Sequence, residues 1–148
     1  MAKIYQGLAY SKMGDFARAQ DVFAELKKED LKKDYKKLLS IYYSEMLLQA
    51  EKKEEAITEL EEAYALNKNR KLRSRIAFLR GQILANLGKN EEARESFVSA
   101  YKNANNFEFE VKSQIEIAKT FNGKDDYEGA KEYIEKISKK GTYASRKN

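Results

Sequence analysis

Residues 4–26 read IYQGLAYSKMGDFARAQDVFAEL and contain two short amphipathic stretches separated by a single turn. In the second stretch, large or small apolar residues recur at the i, i+3, i+4, i+7 spacing from Ala19 to Leu26, which places them on one face of a helix. Between the stretches, Gly14 suits a left-handed helix end and Asp15 suits the cap of the following helix. This segment therefore predicts a hairpin of two α-helices.

The hairpin pattern returns every 37 residues along the chain of 148 residues. Five columns of equivalent positions keep the same residue type in four copies, which is the signature of a repeat architecture. The columns are Gly7, Ser44, Gly81 and Ala118; Tyr10, Leu47, Leu84 and Phe121; Ala19, Ala56, Ala93 and Ala130; Phe23, Leu60, Phe97 and Ile134; and Leu26, Ala63, Ala100 and Ile137.

The turn residues also return in later copies. Gly88 is followed by Asn90, and Gly123 is followed by Asp126, in the manner of the first turn. The second copy has Glu51 in place of the glycine, so we expect that turn to be less sharply specified. Eight helices are predicted, at about 1–13, 15–28, 31–50, 53–66, 70–87, 90–103, 107–121 and 126–138, with ends uncertain by about 2–4 residues.

The small residues of the first column have a packing role, since two helices approach closely only where a side chain is small. We expect the column of Gly7 to face the column of Ala19, and the large apolar columns to bridge to the next hairpin. One hairpin cannot bury both of its faces, so the copies must stack. The predicted fold is all-α, with four helix-turn-helix repeats (about 1–33, 34–70, 71–107 and 108–144) stacked as a right-handed superhelix in a single domain.

The order of Gly7, Tyr10, Gly14, Ala19 and Phe23 resembles the tetratricopeptide repeat, and the resemblance extends over the whole chain. Two departures are the spacing of 37 rather than about 34 residues and the absence of the proline that commonly closes each repeat. The resemblance implies a non-enzymatic scaffold that binds another protein, although such arrays serve many unrelated partners.

Residues 71–119 are in addition similar to the repeat region of lipoproteins of the gliding-motility and type IX secretion apparatus. The similarity rests on a basic helix start, Gly81-Gln82 in mid-helix, a Gly-Lys-Asn turn at 88–90 and the stretch NFEFE at 106–110. It implies a middle piece of a longer, envelope-anchored scaffold, and both chain ends read as cuts. Without that similarity, a cytoplasmic, peptide-binding adaptor is the expectation.

Composition excludes several kinds of chemistry. The chain contains no His and no Cys, so it cannot form a Ser-His-Asp triad, a Cys-His pair or a His-ligated metal site by itself. We expect no cofactor, no metal and no small-molecule substrate. Acidic residues are expected on polar faces and caps, so catalysis is not predicted.

The net charge is +5, and basic residues cluster at the junctions between copies. A basic edge could attract nucleic acid, which leaves a nucleic-acid-binding solenoid as an alternative function; solvated helix ends, with interleaved acidic residues, are the simpler interpretation. The clusters are Lys27, Lys28, Lys32, Lys33, Lys36 and Lys37; Arg70, Lys71, Arg73 and Arg75; and Lys139, Lys140, Arg146 and Lys147.

The first helix of each hairpin is expected to line the concave face, where polar side chains can hold an extended peptide. A merely solvated groove is the alternative. Tyr42 and Tyr43 are adjacent, so they point in different directions and one can face the groove. The candidate binding residues are Leu8, Lys12, Tyr42, Glu45, Gln49, Arg75, Gln82, Asn86, Lys112 and Lys119.

Some tetratricopeptide proteins grip chaperone tails with Lys and Asn at two first-helix positions, and those positions do not match here. The first position, where pentatricopeptide proteins read bases with small polar residues, is apolar in every copy. The two sets are Ile4, Ile41, Phe78 and Ile115; and Leu8, Glu45, Gln82 and Lys119. Neither a co-chaperone role nor base reading is therefore predicted.

Two further stretches, 54–62 and 142–145, have features that stand apart from the repeat columns. The run of Glu54, Glu55, Glu59, Glu61 and Glu62 could suggest a cation site, but an exposed helix face is the favoured interpretation. The stretch 142–145 resembles the approach to a fifth hairpin.

Without that fifth hairpin, Phe121, Ile134 or Ile137 would be left partly uncovered, because the end of a stack normally needs a polar cap. The chain is therefore expected either to self-associate through its C-terminal end or to carry a disordered tail.

Overall fold

The computed structural model describes residues 2–121 and 126–138. Within them the chain forms eight α-helices, and each pair in sequence packs as an antiparallel hairpin. This confirms the all-α, tetratricopeptide-like fold class and all eight predicted helices. The helices are α1 (Ala2–Lys12), α2 (Phe16–Lys27), α3 (Lys33–Gln49), α4 (Lys53–Leu66), α5 (Arg70–Asn86), α6 (Asn90–Asn103), α7 (Phe107–Lys119) and α8 (Asp126–Ile137).

The turn between the helices of a hairpin has one geometry in the first three hairpins. Gly14 and Gly88 have φ of +80°, and Glu51 has φ of +60° at the equivalent position. In each case the following amide donates to a carbonyl five residues earlier, over 2.8 to 2.9 Å. The expectation of a looser second turn is therefore wrong, because α3 and α4 force Glu51 into a conformation that favours glycine.

Helix caps agree with the sequence only in part. The carboxylate of Asp15 accepts from the amide of Arg18 at 3.3 Å, as predicted. Asn90 is the first residue of α6 rather than its cap, and Lys89 in the cap position makes no side-chain hydrogen bond. The turn at 122–125 lies outside the described residues, as does the stretch 142–145.

The chain divides into two compact units, residues 1–68 and 69–148. In the first unit α1 packs on α2, α3 packs on α4, and α3 also contacts α1 and α2. Its apolar core lies around Phe23 and Leu47, each 0% exposed, and the buried residues of this unit also include Ser40 and Ser44, each 2% exposed. The Phe23 ring stacks on the Tyr43 ring of the next hairpin with centroids 5.6 Å apart, so Phe23 makes the bridge that was predicted for its column.

In the second unit α5 packs on α6, α6 on α7, and α7 on α8. Two buried serines join α5 to α6: the Ser74 hydroxyl donates to the Ala100 carbonyl at 2.6 Å, and the Ser96 hydroxyl donates to the Ala77 carbonyl at 2.7 Å. The hairpin is therefore held by polar as well as apolar contacts.

The small residues of the first column make room for phenylalanine rather than for alanine. A Cβ added at Gly7 would lie 2.6 Å from the Phe23 ring, and one at Gly81 would lie 2.7 Å from the Phe97 ring. The predicted close approach is present, and the nearest atoms belong to the phenylalanine column rather than to the predicted column of Ala19. The two rings are fully buried and therefore cannot move aside without repacking.

Candidate functional site

A solvent-open groove lies between the two first helices of the second unit, α5 and α7. Its volume is about 360 Å³. Its apolar wall is held in place by ring contacts, since the Phe78 ring lies 5.1 Å from the Phe109 ring and 5.4 Å from the Phe97 ring, centroid to centroid. The lining residues are Phe78, Gln82, Phe109, Lys112, Ile115 and Glu116.

The groove presents apolar surface and polar groups together. Ile115 is 50% exposed, although it is a large aliphatic side chain. Gln82 and Lys112 are exposed beside it, and Glu116 is held by an ion pair with Lys119 at 3.2 Å. An apolar floor with a few orienting polar groups is the usual composition of a binding groove.

The structure brings two of the sequence-predicted residues of this unit, Gln82 and Lys112, into the lining of one groove. Lys119 does not line the groove itself, but it forms an ion pair with the lining residue Glu116. Arg75 and Asn86 are exposed on α5 but do not line this groove. In the sequence, Phe78 and Ile115 argue only against a co-chaperone role and against base reading. In the structure they form the apolar wall of the groove.

In the first unit, the predicted residues divide by burial. Leu8 and Tyr42 pack against the core, whereas Lys12, Glu45 and Gln49 are exposed. The Gln49 side chain accepts a hydrogen bond from the Ser11 hydroxyl at 3.0 Å, which links α3 to α1. Leu8 and Tyr42 therefore contribute to packing, while the three polar residues lie on the surface.

The neighbour of Tyr42 behaves differently. Tyr43 is 7% exposed and belongs to the core, so the two adjacent tyrosines do point in different directions, as expected. Burial raises the pKa of Tyr43, and a hydrogen bond with Gln20 opposes this rise.

The first basic cluster is more neutralised than the sequence suggested. Lys27 is bound to two carboxylates of α4, Glu59 at 2.5 Å and Glu62 at 2.9 Å. Lys28 lies 3.9 Å from the carboxylate of Glu25. The interpretation of Lys27 as a solvated helix end is therefore wrong, because it bridges the first two hairpins.

Of the second cluster, Arg70 donates to the carbonyl of Lys102 at 3.0 Å. The third cluster lies outside the described residues.

Glu59 is the residue that sequence reasoning missed. It is 7% exposed, so the expectation that the glutamate run forms an exposed helix face is wrong at this position. Burial, and less strongly the neighbouring Glu62, raise the pKa of Glu59, whereas Lys27 lowers it. Burial also lowers the pKa of Lys27, but its hydrogen bonds to the two glutamates outweigh this, and the net pKa of Lys27 is raised.

A signal for this burial was present in the repeat. The column of Glu59 contains Val22, Ser96 and Tyr133 at the same 37-residue spacing; Ser96 is buried, and Val22 and Tyr133 are half-buried. The column therefore faces inward, and the position of Glu59 within it predicts a buried carboxylate. Glu110, 0% exposed, has no such signal, because Lys36 and Arg73 share its column.

Among the described residues no group of three or more acidic side chains is arranged to hold a metal ion. None of the helices in this part of the chain is both long and apolar enough to cross a membrane.

Comparison with known proteins agrees with the geometry. The sequence model of the tetratricopeptide repeat-like domain matches residues 1–116, most of the chain. No curated protein matches the chain. Domains of this family are generally non-catalytic, and they typically mediate contacts between proteins. The paired helices, the repeated close approach of glycine to phenylalanine and this match together establish that the chain belongs to the tetratricopeptide repeat-like domain family.

Proposed function

We propose that this chain is a protein-binding scaffold and that the groove between α5 and α7 holds a segment of its partner. The half-exposed Ile115, lying among Phe78 and Phe109 in an open groove, carries the proposal. Exposed aliphatic surface costs free energy in water, and a partner side chain that covers it recovers about 25 cal/mol per Å².

The polar residues of the groove give the partner an orientation. Gln82 can both donate to and accept from a peptide backbone, and Lys112 can pair with a carboxylate of the partner. The preferred ligand is therefore an extended peptide with an apolar side chain next to an acidic one.

Affinity measurements on surface variants test this. Peptides selected from a displayed library on the intact chain should lose at least about tenfold in affinity with Ile115→Arg or Lys112→Glu, equivalent to about 1.4 kcal/mol. Glu95→Arg, on the exposed surface of α6, is the matched control and should leave affinity unchanged. Equal affinity for all three variants would overturn the proposal.

We further propose that the scaffold serves a cell-envelope secretion or gliding machine. The similarity of residues 71–119 to the repeat region of lipoproteins from that apparatus supports this assignment. In the native host, chemical crosslinking followed by isolation of the envelope should recover the chain bound to envelope proteins. Recovery only with soluble cytoplasmic proteins would favour the peptide-binding adaptor instead.

Nucleic-acid binding is the weaker alternative, because Lys27 and Lys28 already have carboxylate neighbours. It makes an opposite prediction for salt. Binding to nucleic acid should fall by orders of magnitude between about 50 and 200 mM salt if six or more phosphates are contacted. Binding of an apolar peptide should change little over that range.

A further inference from the structure

We propose that a cavity in the first compact unit, beside Glu59, binds the guanidinium group of an arginine side chain carried by a protein partner. This site is separate from the α5–α7 groove of the proposed function, since all of its residues belong to residues 1–68. The inference rests on a buried, unpartnered carboxylate oxygen of a residue that lines the cavity, whose other groups suit an arginine.

The cavity lies where the α2–α3 connection meets α4. Its volume is about 310 Å³. Most of the residues that line it are charged, and three are leucines. The lining residues are Lys27, Lys28, Glu29, Asp30, Leu31, Lys36, Leu39, Ser40, Glu59, Glu62 and Leu66.

The Glu59 carboxylate is the decisive group. Its side chain is 9% exposed, and its Oε1 accepts from the Lys27 ammonium at 2.5 Å. Its Oε2 is buried and has no hydrogen-bond partner. A buried polar oxygen without a partner is destabilising, and more so when it is charged, so a donor that reaches it is favoured.

The charge balance of the cluster points in the same direction. Glu59 and Glu62 share the single ammonium of Lys27, so these three side chains together carry one net negative charge. Burial, and less strongly Glu62, raise the pKa of Glu59, because the buried carboxylate has lost hydration that Lys27 alone does not replace. Of the other charged lining residues, Glu29 pairs with Lys3 at 3.3 Å and Lys28 lies 3.9 Å from Glu25, and Lys36 and Asp30 carry opposite charges.

A guanidinium fits this site better than an ammonium. Its planar donors can bond two carboxylates at once, and it gives up its hydration more readily than an ammonium does. The methylene stem of arginine can lie against Leu31, Leu39 and Leu66 in the same cavity. The terminal torsion of a glutamate is broad, so a small rotation of Glu59 brings its free oxygen to the incoming donor.

The test is a titration of the intact chain with a capped arginine, N-acetyl-arginine N-methylamide, followed by amide chemical shifts in NMR spectra. We expect saturable shifts in residues 27–31 and 59–62, and none with the capped citrulline, which has the same shape without the charge. Glu59→Gln should weaken binding at least about tenfold, in line with the loss of one charge-assisted hydrogen bond. Glu91→Gln, in the exposed first turn of α6, is the matched control and should leave it unchanged.

Glu62→Gln provides a second variant, since Glu62 is 46% exposed and its replacement should leave the fold intact. It should also weaken binding, and it decides the question if Glu59→Gln fails to fold. Shifts that do not saturate, equal shifts with citrulline, or equal affinity of the Glu62→Gln chain would overturn the proposal. Tighter binding of spermidine than of the capped arginine would assign the site to a free polyamine and refute the arginine.

The two proposals fail separately. Glu59→Gln should leave the affinity for peptides of the α5–α7 groove unchanged, and Ile115→Arg should leave the arginine titration unchanged. A loss in both assays from either variant would contradict two independent sites.

Discussion

Replacing Gly81 by alanine probes the packing that defines each repeat. The added Cβ would lie 2.7 Å from the Phe97 ring, which is 0% exposed and therefore enclosed on all sides. Such overpacking costs about 1–3 kcal/mol, while alanine gains about 0.5–1 kcal/mol over glycine inside a helix. We therefore expect Gly81→Ala to lose up to about 2.5 kcal/mol of unfolding free energy and up to about 10 °C in Tm.

Gly129→Ala is the matched control, because it also lies inside a helix but its Cβ would meet nothing within 4 Å. It should gain about 0.5–1 kcal/mol from propensity alone. Circular dichroism melts give the Tm of each variant, and hydrogen exchange of the α5 and α6 amides localises the change, which matters in a chain of two compact units. A Gly81→Ala chain as stable as Gly129→Ala would refute the close packing of glycine on phenylalanine.

Four further predictions follow from particular contacts. Glu51→Gly should raise the unfolding free energy by about 0.5–1 kcal/mol in urea titrations, because φ of +60° strains any residue other than glycine; no gain would contradict a strained turn. The pKa of Glu59 is raised above 4.5, so the folded chain holds its proton to higher pH than the unfolded chain. The unfolding free energy of the wild type should therefore fall as pH rises from 4.5 to the raised pKa of the folded chain. Melts of Glu59→Gln over the same pH range should lack this fall. Arg94→Lys should lower the unfolding free energy by about 1–2 kcal/mol, measured in thermal melts. The guanidinium lies 3.6 Å from the centroid of the Phe121 ring and donates to the hydroxyl of Thr120, and lysine would lose both contacts. In sedimentation experiments the mass of the wild type should rise with concentration, and Tyr127→Asp should restore the monomer mass. Tyr127 is 71% exposed and lines an apolar cavity between α7 and α8. A wild-type mass that stays at the monomer value would contradict self-association.

That last prediction follows from the end of the described helices. Phe121, Ile134 and Ile137 are half-buried, as expected for the end of a stack. The cavity beside them has a volume of about 420 Å³ and includes Phe121 and Ile134. A second copy of the chain could cover this apolar surface.

The helical elements were predictable because they depend on periodicity and turn chemistry. Gly14 and Gly88 mark turns by their conformational freedom, and the recurrence of Ala19 every 37 residues marks the second helix of each hairpin. Glu51 shows the limit of this reasoning. Its turn has the same geometry without the favourable residue, since packing of α3 on α4 overrides local preference.

The facing residues and the sites were less predictable because they depend on how helices cross. Spacing along one helix places Gly7 at an interface, but only the crossing of α1 and α2 decides that Phe23 rather than Ala19 lies closest to it. Gln82 and Lys112 were predicted as exposed first-helix residues, and their joint lining of a groove follows from the packing of distinct helices. The pairing of Lys27 with Glu59 likewise joins residues 32 apart.

The most direct test of the protein-binding account is photo-crosslinking from the α5–α7 groove in the native host. A photoreactive phenylalanine derivative at position 115 should form a discrete covalent adduct with one partner protein, and added peptide selected on the groove should suppress it. The same derivative at position 95, on the exposed surface of α6, should form none. Equal labelling from both positions, or labelling at 115 that the peptide does not suppress, would contradict the account.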